Sequence, residues 1–387
     1  MGKAEKEQLN RALTAHLNTI HETLQVLDQS PPSNSMEKVT WSQVIQIGEQ
    51  VSKQATIGAP TFFFFLDFLL LVIASSACLT AGMLWNGESP QAKEVEENVN
   101  SYFNVLQGFL LLSHGSTVGA GPTLSSSIHE SVKHVVDCSF RLMKEHVSLY
   151  GSHDKEKKLS MPQIVGAVWE ACSALKKVPP TNVTAIGRAM TQVAVSMKDV
   201  LREINELKPA SSNPGDETSD NTPSKAESKP EDDDISDDDL GSDLSPEEMK
   251  VAQLAHGVVS ETLVVIKELI RTITGMLKLE TPDDNGKFVG SLEKLLKMCQ
   301  GVGAEIDEIG ACLYPPQEID AIKLALEKMS SRINEIQQEV ESFPTSSEPF
   351  LEACSGLRTV LKEMEAQLNC LSATELTTKV QNVAVFN

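Results

Sequence analysis

IDAIKLALEKMSSRINEIQQEVESF, residues 319–343, carries the pattern that decides the fold class. Its apolar positions, Ile319, Ile322, Leu326, Met329, Ile333, Ile336, Val340 and Phe343, step by three and four without a break through more than three heptads. A strand would alternate every second residue, so this spacing predicts one long amphipathic helix with a single buried stripe. Helices of this kind bury their stripes only against one another, and the neighbouring segments repeat the pattern.

Downstream, Phe350 to Leu371 repeats it with Leu351, Cys354, Leu357, Leu361, Met364, Leu368 and Leu371. Upstream, a helix from about Asn285 to Leu313 is interrupted at Pro315-Pro316, because proline lacks a donor and disfavours helix in the residue before it. A further helix opens at Ser245-Pro246-Glu247-Glu248, where serine as cap, proline in the first turn and glutamate three residues on form a capping box. Along it Val259, Ile266 and Ile273 repeat every seventh residue, as do Leu263, Ile270 and Leu277. Heptads this short are read as bundle core. Four antiparallel helices over 245–371, followed by a tail at 372–387, are the expectation for this half.

The first half reads similarly. Leu9, Leu13, Leu17, Ile20, Leu24 and Leu27 mark one stripe; Pro31-Pro32 ends it, and Ser35 is a candidate cap for a second helix. Ser89-Pro90 is read as cap and first-turn proline before Val95 to Leu112. Helices follow at Leu124 to Leu149, Leu159 to Val178 and Val183 to Leu207, giving a bundle of five or six over 1–207. Asn182-Val183-Thr184 fits a glycosylation acceptor and is read instead as a helix start.

Between the halves, residues 208–244 contain nothing able to build a core, which predicts a disordered acidic linker. From Lys208 to Glu248 three lysines face fourteen carboxylates, so about half of the chain's net charge of −21 lies in roughly a tenth of its length. That charge disfavours direct nucleic-acid binding by repulsion from phosphates. The seven cysteines are scattered without a C-x-x-C pair and read as reduced core thiols. Ser236 and Ser242, each followed by aspartate, suit an acidophilic kinase, and Ser245-Pro246 is a minimal proline-directed site.

One segment does not fit a soluble bundle. Gly58 to Trp85 reads GAPTFFFFLDFLLLVIASSACLTAGMLW, apolar enough through Phe62, Leu71 and Leu79 to span a bilayer, with Asp67 near its middle. Three readings stand: a membrane helix over 61–81, a buried helix, or an atypical insert at 58–82 translated from an intron. The last draws on Phe62 to Phe65, whose codons contain only pyrimidines, as in the tract before a splice acceptor.

No nucleotide loop, nucleophile elbow or zinc-helix signature occurs, and the histidines do not pair at metal-binding spacing. No catalytic residue, cofactor or metal is expected, and the chain is read as a non-enzyme.

GAEIDEIGACLYPPQEIDAIKLALEKMSSRINEI, with Leu313, Tyr314, Pro315 and Pro316 at its turn, resembles the cyclin-D-binding protein family of helix–loop–helix-like proteins. The likeness extends through SKQAT, GMLW and the VWEAC stretch at Val168 to Cys172. It implies an all-α fold of two antiparallel bundles, similar to those of talin and vinculin relatives, joined by the disordered acidic linker. It further implies binding of D-type cyclins and helix–loop–helix transcription factors, restraint of cell-cycle progression or transcription, and residence in nucleus and cytoplasm. The family passes directly from SKQAT to GMLW, so Gly58 to Gly82 departs from it. The alternative is a membrane-associated or cytoskeletal scaffold, single-pass if the apolar segment is genuine.

Overall fold

Helix ends follow local chemistry throughout. A computed structural model describes residues 3–29, 39–57, 91–150, 155–209, 243–275, 288–343 and 347–385. The Gly58 to Gly82 insert, Phe62, Asp67, Leu71 and Leu79 with it, lies outside the described residues, as do Cys78, Ser236, Ser242 and the linker over 210–242.

Ten α-helices are described: α1 Lys3–Gln29, α2 Trp41–Ile57, α3 Ala92–Ser116, α4 Pro122–Leu149, α5 Lys155–Ala174, α6 Asn182–Glu206, α7 Pro246–Gly275, α8 Val289–Cys312, α9 Ile319–Glu341 and α10 Glu348–Val385. Two-residue strands, β1 Lys208–Pro209 and β2 Asp243–Leu244, pair in parallel between α6 and α7. The fold is all-α, as the periodicity predicts.

Some starts differ from the sequence expectation. Immediately before α2 sits Thr40, whose N–H and hydroxyl both donate to the Gln43 side chain at 2.9 Å. The cap of α3 is Gln91, whose N–H donates to Glu94 at 3.0 Å, so Ser89-Pro90 lies ahead of the helix start. Helix α10 continues to Val385 past the predicted tail boundary, since no glycine or proline interrupts the chain after Leu371.

The chain divides into two compact units, one over residues 1–185 with 282–289 and the other over 186–281 with 290–387. In the first, α2 lies against α3 and α5, α4 against α5 and α3, and α1 against α3 and α4. Tyr102, Phe103, Leu106, Phe109 and Leu142 fill its core. Within that core the Tyr102 hydroxyl donates to Ser139 Oγ at 2.8 Å, which in turn donates to the Val135 carbonyl at 2.7 Å, so both buried hydroxyls are satisfied.

The second unit takes in more than the four helices predicted for it. Helix α6, assigned to the first bundle by a boundary at 207, belongs to the second unit from Ile186 onward. Its buried side chains Ile186, Met190, Met197, Val200 and Ile204, with half-buried Val193 between Met190 and Met197, form a stripe of the same three-four spacing as α9. They reach α8 where glycines admit them: a Cβ built on Gly303 would lie 2.8 Å from Val193 Cγ1, and one on Gly310 2.7 Å from Val200 Cγ1. Those contacts advance by seven residues on each helix, so α6 and α8 run parallel. The second unit is therefore a five-helix bundle, in which α6 also lies antiparallel to α7, with Gly187 beside Thr274.

The four predicted helices occupy the rest of it. Every apolar position quoted for α9 from Ile322 to Phe343 is buried, with Ile319 half-buried. On α7, Val259, Ile266 and Ile273 are buried while Leu263 and Ile270 are half-buried, so the first heptad series faces the core and the second flanks it. Among the described residues, α7 is the one helix long and apolar enough by length and composition to cross a membrane.

Charged contacts align α9 with α8. Glu305, nine-tenths buried on α8, lies between Lys328 at 3.4 Å and Arg332 at 3.6 Å, and Lys294 meets Glu339 at 2.7 Å. Such pairs fix register more than they stabilise.

Candidate interaction surface

The residues around Leu313 to Pro316 converge with the start of α7 at one end of the second unit. Leu313 is fully buried and anchors the turn, and its N–H donates to the Gly310 carbonyl at 3.3 Å. Tyr314, the next residue, is 47% exposed, and Pro316 is exposed behind a half-buried Pro315. The peptide bond between the two prolines is cis.

What holds this turn is Gln317, a residue that motif reading did not single out. Its side-chain amide donates to the Leu313 carbonyl at 3.1 Å and to the Glu248 carbonyl at 3.1 Å. The α8–α9 turn is thereby tied to the first turn of α7. A glutamine directly after a proline pair was visible in the sequence, but its second acceptor lies 69 residues away and no local rule points to it.

Glu248 also closes the predicted capping box. The Ser245 N–H donates to Glu248 Oε2 at 2.9 Å, and the Glu248 N–H donates to Ser245 Oγ at 3.2 Å. The hydrogen bond from the Ser245 backbone, with that from its side chain, holds the Glu248 carboxyl below its ordinary value against a smaller opposing effect of burial. Because the folded-state pKa lies below the unfolded one, this stabilisation is present above the ordinary carboxylate range and fades as pH falls through the folded value. Ser245→Ala is expected to lower stability by about 1 kcal/mol, read as a shifted urea midpoint at unchanged m-value.

Helices α6 and α8 both end here, and neither has a basic residue in its last turn. Between the end of α6 and the start of α7 is a groove of about 330 Å³ lined by Ile204, Leu207, Met249, Ala252 and His256 with Asn205 and Gln253. Exposed carboxylates lie on four of the helices that reach this end: Glu203 and Glu206 on α6, Glu247 on α7, Asp307 and Glu308 on α8, and Glu318 and Asp320 at the start of α9. Helix α10 reaches it too, where Ser372 accepts a hydrogen bond from Lys323 at 2.6 Å.

Elsewhere the sequence-predicted chemistry resolves into structure. Among the described cysteines, Cys172, Cys299, Cys312 and Cys354 are buried free thiols, Cys138 is half-buried, and Cys370 is exposed. Burial pushes the Cys172 and Cys299 thiols up to about 12, which keeps them protonated and poorly nucleophilic. Asn182 is buried at the start of α6, where its oxygen accepts the Gly121 N–H at 2.7 Å and its amide donates to the Gly119 carbonyl at 2.9 Å. That is the helix-start role read from the sequence. No group of three histidine, cysteine, aspartate or glutamate side chains able to hold a metal ion occurs among the described residues.

A helical fold of two units with an exposed aromatic turn defines this chain as a protein of the helical-bundle class. Its family follows from comparison with known proteins. The N-terminal model of the Grap2 and cyclin-D-interacting family matches residues 70–210, and the C-terminal model of the same family matches residues 230–338. The chain belongs to the Grap2 and cyclin-D-interacting family. The N-terminal match begins inside the apolar stretch and leaves α1 and α2 outside it. Among curated proteins, the Cyclin-D1-binding protein 1 homolog of Xenopus laevis is 23% identical over 219 residues, which are 56% of this chain and 60% of that relative.

Proposed function

We propose that this protein is a non-enzymatic adaptor that binds D-type cyclins and helix–loop–helix transcription factors, and thereby restrains cell-cycle progression or transcription in nucleus and cytoplasm. The observation that carries the reading is that both halves of the chain match models of one cyclin-D-interacting family, the second match including the Leu313 to Pro316 turn. The name of the Xenopus laevis relative points the same way. Helical bundles serve such a role by accepting a partner's helix along a groove, with hydrophobic anchors supplying affinity and surrounding charge selecting the partner. Phosphorylation at Ser236, Ser242 or Ser245 would raise the negative charge on or beside the linker and retune that selection.

The test is calorimetric titration of the purified chain with a D-type cyclin at physiological salt. Saturable binding at micromolar affinity or tighter, retained when 210–242 is deleted, is the expected result. Absence of binding both with and without Gly58 to Gly82 would sink the proposal.

A further inference from the structure

We propose that the turn end of the second unit is a docking site for a basic amphipathic helix of a partner protein. The inference rests on the adaptor reading and supplies the chemistry of the partner it engages.

Shape and charge select this occupant together. The groove between α6 and α7 presents Ile204, Leu207 and Met249, wide enough at about 330 Å³ for one or two large apolar side chains. At the same end Gln317 holds the turn in place, and Tyr314 stands 47% exposed beside exposed Pro316. An apolar stripe at helical spacing, with one residue in the groove and another on the aromatic turn, matches such a surface.

Seven exposed carboxylates, Glu203, Glu206, Glu247, Asp307, Glu308, Glu318 and Asp320, stand on these segments of α6 to α9, where the exposed cations among the described residues are Arg202, Lys208 and Lys250 and the half-buried Lys323 is held by Ser372 at 2.6 Å. Of these, Arg202 is already paired with Asp199 at 3.2 Å. The carbonyl ends of α6 and α8 add partial negative charge that no basic side chain in their last turns offsets. The stretch 210–242 joins β1 to β2 in the chain. By sequence it holds eleven carboxylates and two lysines. A lysine- and arginine-rich helix is attracted to this end at long range, and its cations can also stack on Tyr314. An acidic or neutral helix lacks both advantages.

The experiment uses the full chain and a labelled 18-residue amphipathic leucine–lysine peptide, followed by fluorescence anisotropy at about 150 mM salt, with a leucine–glutamate peptide of the same pattern as control. Expected is saturable binding of the lysine peptide and none of the glutamate peptide. Binding should weaken about tenfold or more in Tyr314→Ala with Met249→Ser, and in Glu206→Lys with Glu318→Lys. Glu335→Lys with Glu341→Lys, which makes the same change in charge toward the far end of α9, should leave it unaltered.

Equal binding of the two peptides, equal loss in both charge-reversal variants, or insensitivity to Tyr314→Ala with Met249→Ser would overturn the site. So would self-association of the chain through this end, seen by sedimentation as dimers that the same substitutions dissolve. Cyclin binding by the unaltered chain is read in parallel. Its absence overturns the adaptor reading, whereas cyclin binding alongside peptide binding insensitive to these variants overturns the docking site alone.

Discussion

A fragment of residues 182–387 is expected to unfold cooperatively and to be more stable by more than about 3 kcal/mol than one beginning at residue 208. The reason is the stripe Ile186, Met190, Met197, Val200 and Ile204, all buried in the second unit. Truncating a single buried Met or Ile to Ala already costs about 2–5 kcal/mol, and removing α6 deletes four such side chains and Val200 while uncovering the groove they fill. Urea denaturation followed by circular dichroism measures the difference, and the shorter fragment should also bind a hydrophobic dye. In the intact chain, Gly303→Leu should cost about 1–3 kcal/mol, because the new side chain would collide with Val193 and push α6 outward. Equal stability of the two fragments would return α6 to the first bundle.

Acid is expected to weaken the first unit through His146. This imidazole is buried within α4, and desolvation lowers its pKa from the ordinary 6.5 to about 4. Between those values the unfolded chain binds a proton that the folded chain refuses, so stability rises with pH across that window and falls as pH drops through it. A shift of this size corresponds to about 3 kcal/mol, fully lost below pH 4. His146→Leu should remove this component while leaving the response of carboxylates intact. The difference between unaltered and variant stability, measured by denaturation at pH 7, 5.5 and 4.5, should therefore change steadily with pH. Two parallel pH profiles would show that His146 is not the titrating group.

Features that arise within a single helix are legible in the residue order. Helix α9 is readable because its stripe is unbroken and no glycine or proline competes, and all of it from Ile322 to Phe343 is buried. The Ser245 to Glu248 box is equally readable, since both hydrogen bonds join residues three apart. Periodicity also places α6 and its stripe. It carries no information on which neighbours receive that stripe, because a three-four pattern fits any apolar groove equally well.

The same limit explains the turn. Leu313, Tyr314, Pro315 and Pro316 announce an interruption, yet exposure of Tyr314 and burial of Leu313 depend on the turn's attachment to α7. That attachment is a hydrogen bond from Gln317 to a carbonyl far away in the chain. The acidic character of this end is likewise an assembly effect: Glu203, Glu206, Asp307, Glu308 and Glu318 lie on three elements and become neighbours only through packing.

From the amino-acid order alone came the all-α class, the helix-forming segments, the buried stripes and the capping box of α7, because propensity, periodicity and capping act over spans of about three to seven residues. The membership of α6, the five-helix count of the second unit, and the gathering of the turn, the groove and the carboxylates at one end required the tertiary structure. They depend on which surfaces interlock, and that is settled by small features such as the missing Cβ atoms of Gly303 and Gly310, whose effect appears only when two helices distant in sequence are brought into contact.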